Sequence, residues 1–341
     1  VPDYFALPRE DQREALLVAA ERSGRPLHLL EKDVWVVWAL HHLFTGPHAP
    51  HLVFKGGTSL SKAYGVIKRF SEDVDLTYDI RAIAADLIEK ADSPWPTSRS
   101  QEKKWSKAVR QRLAELVSDR LAPDLAKAIA EQRLPATARA EGEQIFIDYE
   151  AFGGGTGYVR PSVLLEFGAR STGEPNEPRP VACDAALHLP DVSFPSATPR
   201  VMRPERTFWE KATAIHVFCA QGSFRGGDRY ARHWHDVTRL DAAGFAVSAA
   251  KDRALALAVA EHKSIFFAES MPDGAPIDYR AAVTGALDLA PSGDARKTLA
   301  DDYQRMVEDG LLLDDAEPFD VLLQRCQALA HKVNAAALKA A

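Results

Sequence analysis

Between residues 52 and 78 the chain reads Leu52-Val53-Phe54-Lys55-Gly56-Gly57-Thr58-Ser59-Leu60-Ser61-Lys62 and, after a break at Gly65, Ser71-Glu72-Asp73-Val74-Asp75-Leu76-Thr77-Tyr78. Few folds accept this order. The apolar triplet 52–54 predicts a buried strand, and Gly56-Gly57 ends it sharply. Residues 58–64 predict one or two helical turns, and the alternation over 73–78 predicts a second strand. Two glycines permit positive φ and let the backbone approach a ligand closely. Thr58 and Ser59 then sit at a helix N-terminus, where free N–H groups and the dipole favour a phosphate. Residues two apart in a strand face one side, so Asp73 and Asp75 point together while Val74 packs behind the sheet. Convergent carboxylates suit Mg²⁺, which shares its oxygen ligands with substrate phosphates. Two metals held this way clamp the attacking and leaving oxygens of a phosphoryl-type displacement. No G-x-x-x-x-G-K-[ST] occurs, so the rival P-loop reading fails.

Such a site normally draws a third carboxylate from a neighbouring strand. Strands are predicted over 144–149 and 159–167, joined by the four-glycine linker 151–157 as a hairpin. Glu166 stands inside the apolar run Val163-Leu164-Leu165-Glu166-Phe167. A carboxylate there needs a metal or an ion pair, for which Arg160 and Arg170 are near in sequence. Asp148, on the preceding strand, is the competitor. Upstream, helices are predicted over 8–23 and 27–44, the second nearly apolar all round and therefore buried. Asp33 and Glu31, beside its buried tryptophans, read as structural, tying this helix to the strands. A short helix near 80–90, a Pro/Ser-rich loop and a long basic helix over 102–121 follow. Residues 171–204 are proline-rich and irregular, with one strand, and form the border between lobes. Everything after residue 205 reads as helices. The expected class is α+β, an N-terminal α/β lobe with a mixed sheet over 1–200 and a mostly helical lobe over 201–341.

Composition narrows the partners. With 341 residues, 46% hydrophobic and 26% charged, the chain is neither disordered nor fibrous. No run reaches the roughly 18 apolar residues that cross a bilayer. No secretory signal is visible in residues 1–10, and Cys183, Cys219 and Cys326 lie far apart, so a cytoplasmic protein away from membranes is expected. The formal charge of −6 argues against nucleic acid only until it is split. Residues 240–341 carry all of it, with 10 basic against 16 acidic side chains. Residues 97–112 are net +5 and residues 200–239 net +4, local clusters of the kind that contact phosphates.

The Gly-Gly-x-Ser turn with Asp-x-Asp 16 residues beyond it resembles the nucleotidyltransferase superfamily that includes DNA polymerase β. The resemblance tightens with Leu30-Glu31-Lys32-Asp33-Val34-Trp35-Val36, Arg206-Thr207-Phe208-Trp209-Glu210-Lys211 and Arg229-Tyr230-Ala231-Arg232-His233-Trp234-His235-Asp236-Val237. These segments, in this order over two thirds of the chain, resemble the AbiEii/AbiGii toxin family, toxins of bacterial toxin–antitoxin and phage-defence systems that include the MenT toxins. The resemblance implies a polymerase β-like catalytic lobe and transfer of NMP from an NTP to the 3′ end of an RNA, tRNA above all, with release of pyrophosphate. It also implies Mg²⁺ on Asp73 and Asp75; Glu166 is the expected third ligand, with Asp148 still open as the competitor. Gly56, Gly57, Thr58, Ser59 and Lys62 would hold the triphosphate, and Lys211 would contact it. Asp236 would be an essential carboxylate facing the cleft, and Arg229 and Arg232 would touch phosphate or RNA. The role of Lys55 stays open, between phosphate and strand end. A cognate antitoxin is an implied partner.

From spacing alone, Arg229, Arg232 and Asp236 fall on one helical face. The pair His235-Asp236 also resembles the core of HD phosphohydrolases, but no downstream metal aspartate completes it. The two other outcomes are transfer to a protein or small molecule, and a module that binds RNA or antitoxin without chemistry.

Overall fold

The computed structural model describes residues 1–69, 71, 73–89, 95–153, 160–222, 229–312 and 316–339. Two compact units emerge. One comprises Val1–Ala63, Glu72–Lys90 and Lys104–Met202, and the other Tyr64–Ser71, Ala91–Lys103 and Arg203–Ala341. The second unit is thus more than the C-terminal part expected from residue 201 onward, because two upstream stretches belong to it.

The first unit begins with helices α1 (Arg9–Ser23) and α2 (Leu27–Thr45), then β1 (Leu52–Lys55), α3 (Gly56–Lys62) and β2 (Asp73–Tyr78). Gly24 ends α1 with a left-handed φ of 71°. In α2, residues 34–38 are buried on every side. The remaining strands are β3 (Ala136–Glu141), β4 (Gln144–Tyr149), β5 (Ser162–Gly168), β6 (Asn176–Pro178), β7 (Val181–Ala182), β8 (Ser196–Ala197) and β9 (Arg200–Met202). Seven of them form one sheet in the order β3-β4-β5-β2-β1-β9-β6. β2 pairs parallel with β5 and β1 with β9, while the other neighbours are antiparallel, so the sheet is mixed.

Strand periodicity splits the sheet into two faces. Leu52, Phe54, Val74, Leu76, Ile145, Ile147, Val163 and Leu165 are all fully buried on one face. Burying each such side chain stabilises the unit by roughly 1.5–3 kcal/mol, which fixes the register of the whole sheet. Lys55, Asp73, Asp75, Gln144 and Glu166 fall on the other face and are only half-buried.

Several expected boundaries shift. The strand expected over 159–167 runs from Ser162 to Gly168, and it pairs with β4 as the hairpin reading required. Residues 154–157 of its linker lie outside the described residues. β3 was not expected, since Ala136-Thr137-Ala138-Arg139-Ala140-Glu141 carries no large apolar residue. Gly142, at φ 59°, turns β3 into β4. The helix expected near 80–90 is two short ones, Ile80–Ile83 and Ala85–Glu89. The basic helix is α-helical over Arg99–Leu116, then passes through a π-helical turn, Val117–Leu121, into Ala122–Glu131. The stretch 171–204 holds four short strands where one was expected.

The second unit is helical, as read. Its helices include Pro204–Gln221, Arg232–Ala242, Arg253–Phe266, Gly293–Glu308 and Phe319–Lys339. Trp209 and Trp234 are fully buried, and each indole N–H finds a carbonyl, of Ala249 at 3.1 Å and of Leu289 at 2.9 Å. Among the described residues, no helix is long and apolar enough to cross a membrane.

Candidate functional site

The carboxylates of the first unit are set by strand register. Asp75 lies opposite Glu166 in the parallel β2–β5 pair and opposite Lys55 in the antiparallel β1–β2 pair. Glu166, rather than Asp148, is therefore the cross-strand neighbour of the Asp-x-Asp strand. Glu166 is half-buried and accepts a hydrogen bond from Gln144 Nε2 at 2.7 Å. Asp148 pairs with Ser162 in register and binds Arg139 Nε at 2.7 Å. Partial burial would raise its pKa, but the nearby Ser162 hydroxyl and the Arg139 guanidinium outweigh that and hold the carboxyl below its ordinary value. The Asp75 carboxylate makes no hydrogen bond or ion pair with any described residue.

The Gly-Gly turn works through space. Gly56 has φ 77°, and a Cβ placed there would lie 2.0 Å from Asp75 Oδ2 and 2.7 Å from its Cγ. Only glycine lets the chain pass under this carboxylate. Thr58 Oγ1 donates to the Asp73 carbonyl and ties the first turn of α3 to β2. Ser59 is fully buried, and its hydroxyl donates to the Gly56 carbonyl at 2.9 Å. Both hydroxyls thus hold the turn in place, where phosphate contact was expected of them.

Lys62 also departs from expectation. Its ammonium lies 2.6 Å from Asp33 Oδ1 and 2.7 Å from Asp184 Oδ1, and its side chain is 9% exposed. Burial would lower its pKa, but the two carboxylates outweigh it and hold the amine above its ordinary value. Asp33 Oδ2 also accepts the Asp184 N–H at 2.6 Å. Lys62 and Asp33 therefore lock α3, α2 and the 183–187 segment together. Asp33 has the structural role read from sequence, and the charge of Lys62 is taken up by the same lock.

Glu31, from the same motif, accepts the Phe152 N–H with both oxygens at 3.2 Å. Burial pushes its carboxyl up to about 7, against the Phe152 hydrogen bond and Arg9, which lower it. The native state thus keeps a proton that the unfolded chain loses above about pH 4.5, so stability falls as pH rises from there to about 7. Glu31→Gln keeps an acceptor for Phe152 and removes this titration. Thermal melts are expected to show the variant more stable at pH 8, by an order of 1–3 kcal/mol, and matched to the parent near pH 4. A gain of equal size at both pH values would contradict this.

The second unit carries its own buried ion cluster. Asp236 is fully buried on the helix Arg232–Ala242. Arg69 Nε and Nη2 donate to its two oxygens at 2.7 and 2.8 Å, and Lys211 Nζ lies 2.9 Å from Oδ2. His235 Nδ1 is 3.3 Å from Oδ1. Burial alone would raise the Asp236 pKa, but Arg69 and Lys211 hold it well below the carboxylate range. Lys211 is lowered, by burial first and then by Arg69 and Arg232. His233 is held well below its ordinary value by burial, Lys211 and Arg232, and is neutral. Within the second unit Asp236 is enclosed by cations and does not face outward, contrary to the sequence expectation. The same cations occupy both oxygens of the carboxylate that an HD-type metal would need.

Arg229 does not share the face of Arg232 and Asp236. It precedes the helix with φ 66°, and its N–H and that of Ala231 donate to the buried Asp302 carboxylate, both at 2.7 Å. Arg232 is half-buried at the first turn of that helix. Sequence reasoning missed Arg69 and Asp302 altogether. Arg69 lies 167 residues from Asp236, and Asp302 lies in the C-terminal hundred residues, where no motif was found.

The donor set of the first unit fits a hard cation. Asp73, Asp75 and Glu166 offer only oxygens on one sheet face, and the Asp75 carboxylate has no competing partner. Among the described residues no three His, Cys, Asp or Glu side chains are grouped so that together they could hold a metal ion. Mg²⁺ does not require such a group, since one or two carboxylates with waters and substrate phosphates suffice.

A family model described as the nucleotidyl transferase AbiEii toxin of type IV toxin–antitoxin systems matches residues 38–325. Among solved structures, the chain is similar to MenT4, a nucleotidyltransferase toxin from Mycobacterium tuberculosis, at 17% identity and a TM-score of 0.46. That alignment covers 96% of this chain and 98% of MenT4. A comparison with curated proteins finds no match. The family match takes in the Gly-Gly turn, Asp-x-Asp, Lys211 and Asp236 and spans most of the sequence, so the chain belongs to the AbiEii nucleotidyltransferase toxins of type IV toxin–antitoxin systems.

Proposed function

We propose that Asp73 and Asp75, with Glu166, would hold Mg²⁺ and through it the triphosphate of an NTP, and that the nucleotidyl group passes to the 3′ end of an RNA, with tRNA as the acceptor. The acceptor 3′-oxygen bonds to the α-phosphorus as its proton leaves. The bond from that phosphorus to the bridging oxygen breaks, and pyrophosphate departs. When bound, Mg²⁺ would neutralise phosphate charge and favour ionisation of the 3′-hydroxyl. Gly56 leaves the space in which the Asp75 carboxylate can turn to its ligand. In the second unit Lys211 and Arg232 bring more positive charge than Asp236 cancels, which suits a polyanionic substrate. The observation that carries this reading is the register of Asp75 beside Glu166, over a glycine and with a carboxylate that no described residue pairs.

An RNA acceptor is supported by the helix Arg99–Leu116. Trp105, Val109 and Leu113 are its buried face, while Lys104, Lys107 and Arg110 are exposed. Phosphate contacts from such side chains weaken with salt. A cytoplasmic toxin restrained by a cognate antitoxin completes the reading. The test incubates the purified chain with Mg²⁺, tRNA and each α-labelled NTP in turn. Label in tRNA from at least one NTP, abolished by EDTA, is the expected result. Label confined to protein or to a small product would move the acceptor to that class. No label from any NTP would remove the RNA reading.

A further inference from the structure

A cavity of about 490 Å³ opens in the first unit between the start of the chain, the C-terminal half of α2 and the segment 194–196. Neither the proposed chemistry nor any motif uses it. Its size is that of a small-molecule site. Trp38 and Phe194, 2% and 9% exposed, are among the aromatic residues of its lining, and Phe194 is held by stacking on Tyr4 with centroids 4.9 Å apart.

The polar rim has a defined hydrogen-bond sense. Trp38 Nε1 donates to Gln132 Oε1 at 3.0 Å, which orients the amide. The Gln132 NH₂ then donates to His42 Nε2, also at 3.0 Å. A neutral His42 must therefore carry its proton on Nδ1, as a donor. Burial, with His41 beside it, lowers the His42 pKa and keeps the ring neutral. His41 Nδ1 is 2.8 Å from the Ser196 carbonyl, which can only accept. In neutral His41 the proton is thus on Nδ1, and Nε2 is an acceptor. The two adjacent imidazoles of the lining thus leave one donor, His42 Nδ1–H, and one acceptor, His41 Nε2, the kinds of group that a heteroaromatic ring nitrogen and its amino group take up. Charge selects further. Among the described residues lining the cavity, Asp3 is acidic and none is Lys or Arg. Nothing there would balance a phosphate.

We propose that this cavity is a second ligand site, separate from the Asp73–Asp75 strand, that takes a phosphate-free heteroaromatic base of nucleoside size. The test is equilibrium dialysis of the full chain, without metal, against adenosine, guanosine, cytidine and uridine and their 5′-monophosphates. At least one nucleoside is expected to bind with Kd of about 1 mM or below, and more tightly than its monophosphate. Gln132→Ala and His41→Ala, both at exposed positions, are each expected to weaken it by about tenfold. Asp75→Asn is expected to leave it unchanged. The proposal is overturned if no nucleoside binds, if a monophosphate binds more tightly than its nucleoside, if both rim variants bind as the parent does, or if Asp75→Asn abolishes binding. Failure of RNA labelling would leave this result untouched.

Discussion

Asp75→Asn is expected to lower nucleotidyl transfer by about 10³-fold, about 4 kcal/mol on the barrier, because it removes a charged oxygen from the metal-binding face. Stability is expected to change little. Asp75 stands in register with Glu166 on one side and with Lys55 on the other, and its carboxylate has no hydrogen bond or ion pair with a described residue. The like charge and the opposite charge offset each other, so the amide should leave the unit within about 0.5 kcal/mol of the parent. Lost activity with unchanged Tm marks a residue kept for chemistry rather than for folding. The measurement pairs single-turnover labelling with thermal denaturation. A variant that keeps its transfer rate would sink the metal assignment, and one that loses both rate and Tm would make Asp75 structural.

Removing Arg69 should do the reverse. Arg69→Ala leaves a fully buried Asp236 with Lys211 as its one remaining full cation among the described residues. Breaking a buried pair from one side typically costs about 3–5 kcal/mol. Asp236→Ala should cost more, because it strands two cations, Arg69 and Lys211, where Arg69→Ala strands one carboxylate. Urea denaturation monitored by tryptophan fluorescence reads both, and Trp209 and Trp234 report on the same unit. The acid limb carries a sign of its own. Asp236 has its pKa depressed in the fold, so its contribution is complete above the unfolded carboxyl value near 3.8 and fades as pH falls below it. A parent and an Arg69→Ala variant that unfold at equal urea concentration at pH 7 would show that the pair adds nothing.

How much of this could be read beforehand follows from distance along the chain. The turn and the strands on either side of it were legible because the signals that mark them are local or alternate with period two. The alternation of β2 also told that Asp73 and Asp75 would point together, while the choice between Glu166 and Asp148 needed the pairing of β2 with β5. Pairing between distant segments left no such mark. Lys62 looks like a phosphate ligand in its motif, yet its partners are Asp33 and Asp184, 122 residues away in the latter case. Asp236 looks like an outward carboxylate until Arg69 is found on it. Arg229 seemed to share a helical face, and a single left-handed residue removed it from the helix. β3 was invisible for another reason: a strand on a polar edge needs no large apolar side chain, so alternation had nothing to mark.

The division of the chain into units has a consequence for heredity. Tyr64–Ser71 sits in the second unit, although the strands on either side of it belong to the first. A recombination crossover near residue 200 would deliver a foreign Asp236 to a native Arg69. The two halves of that buried pair would come from different parents. A laboratory chimera joined near residue 200 is expected to keep the Arg69–Asp236 pair from one parent only if residues 64–71 travel with the C-terminal helices.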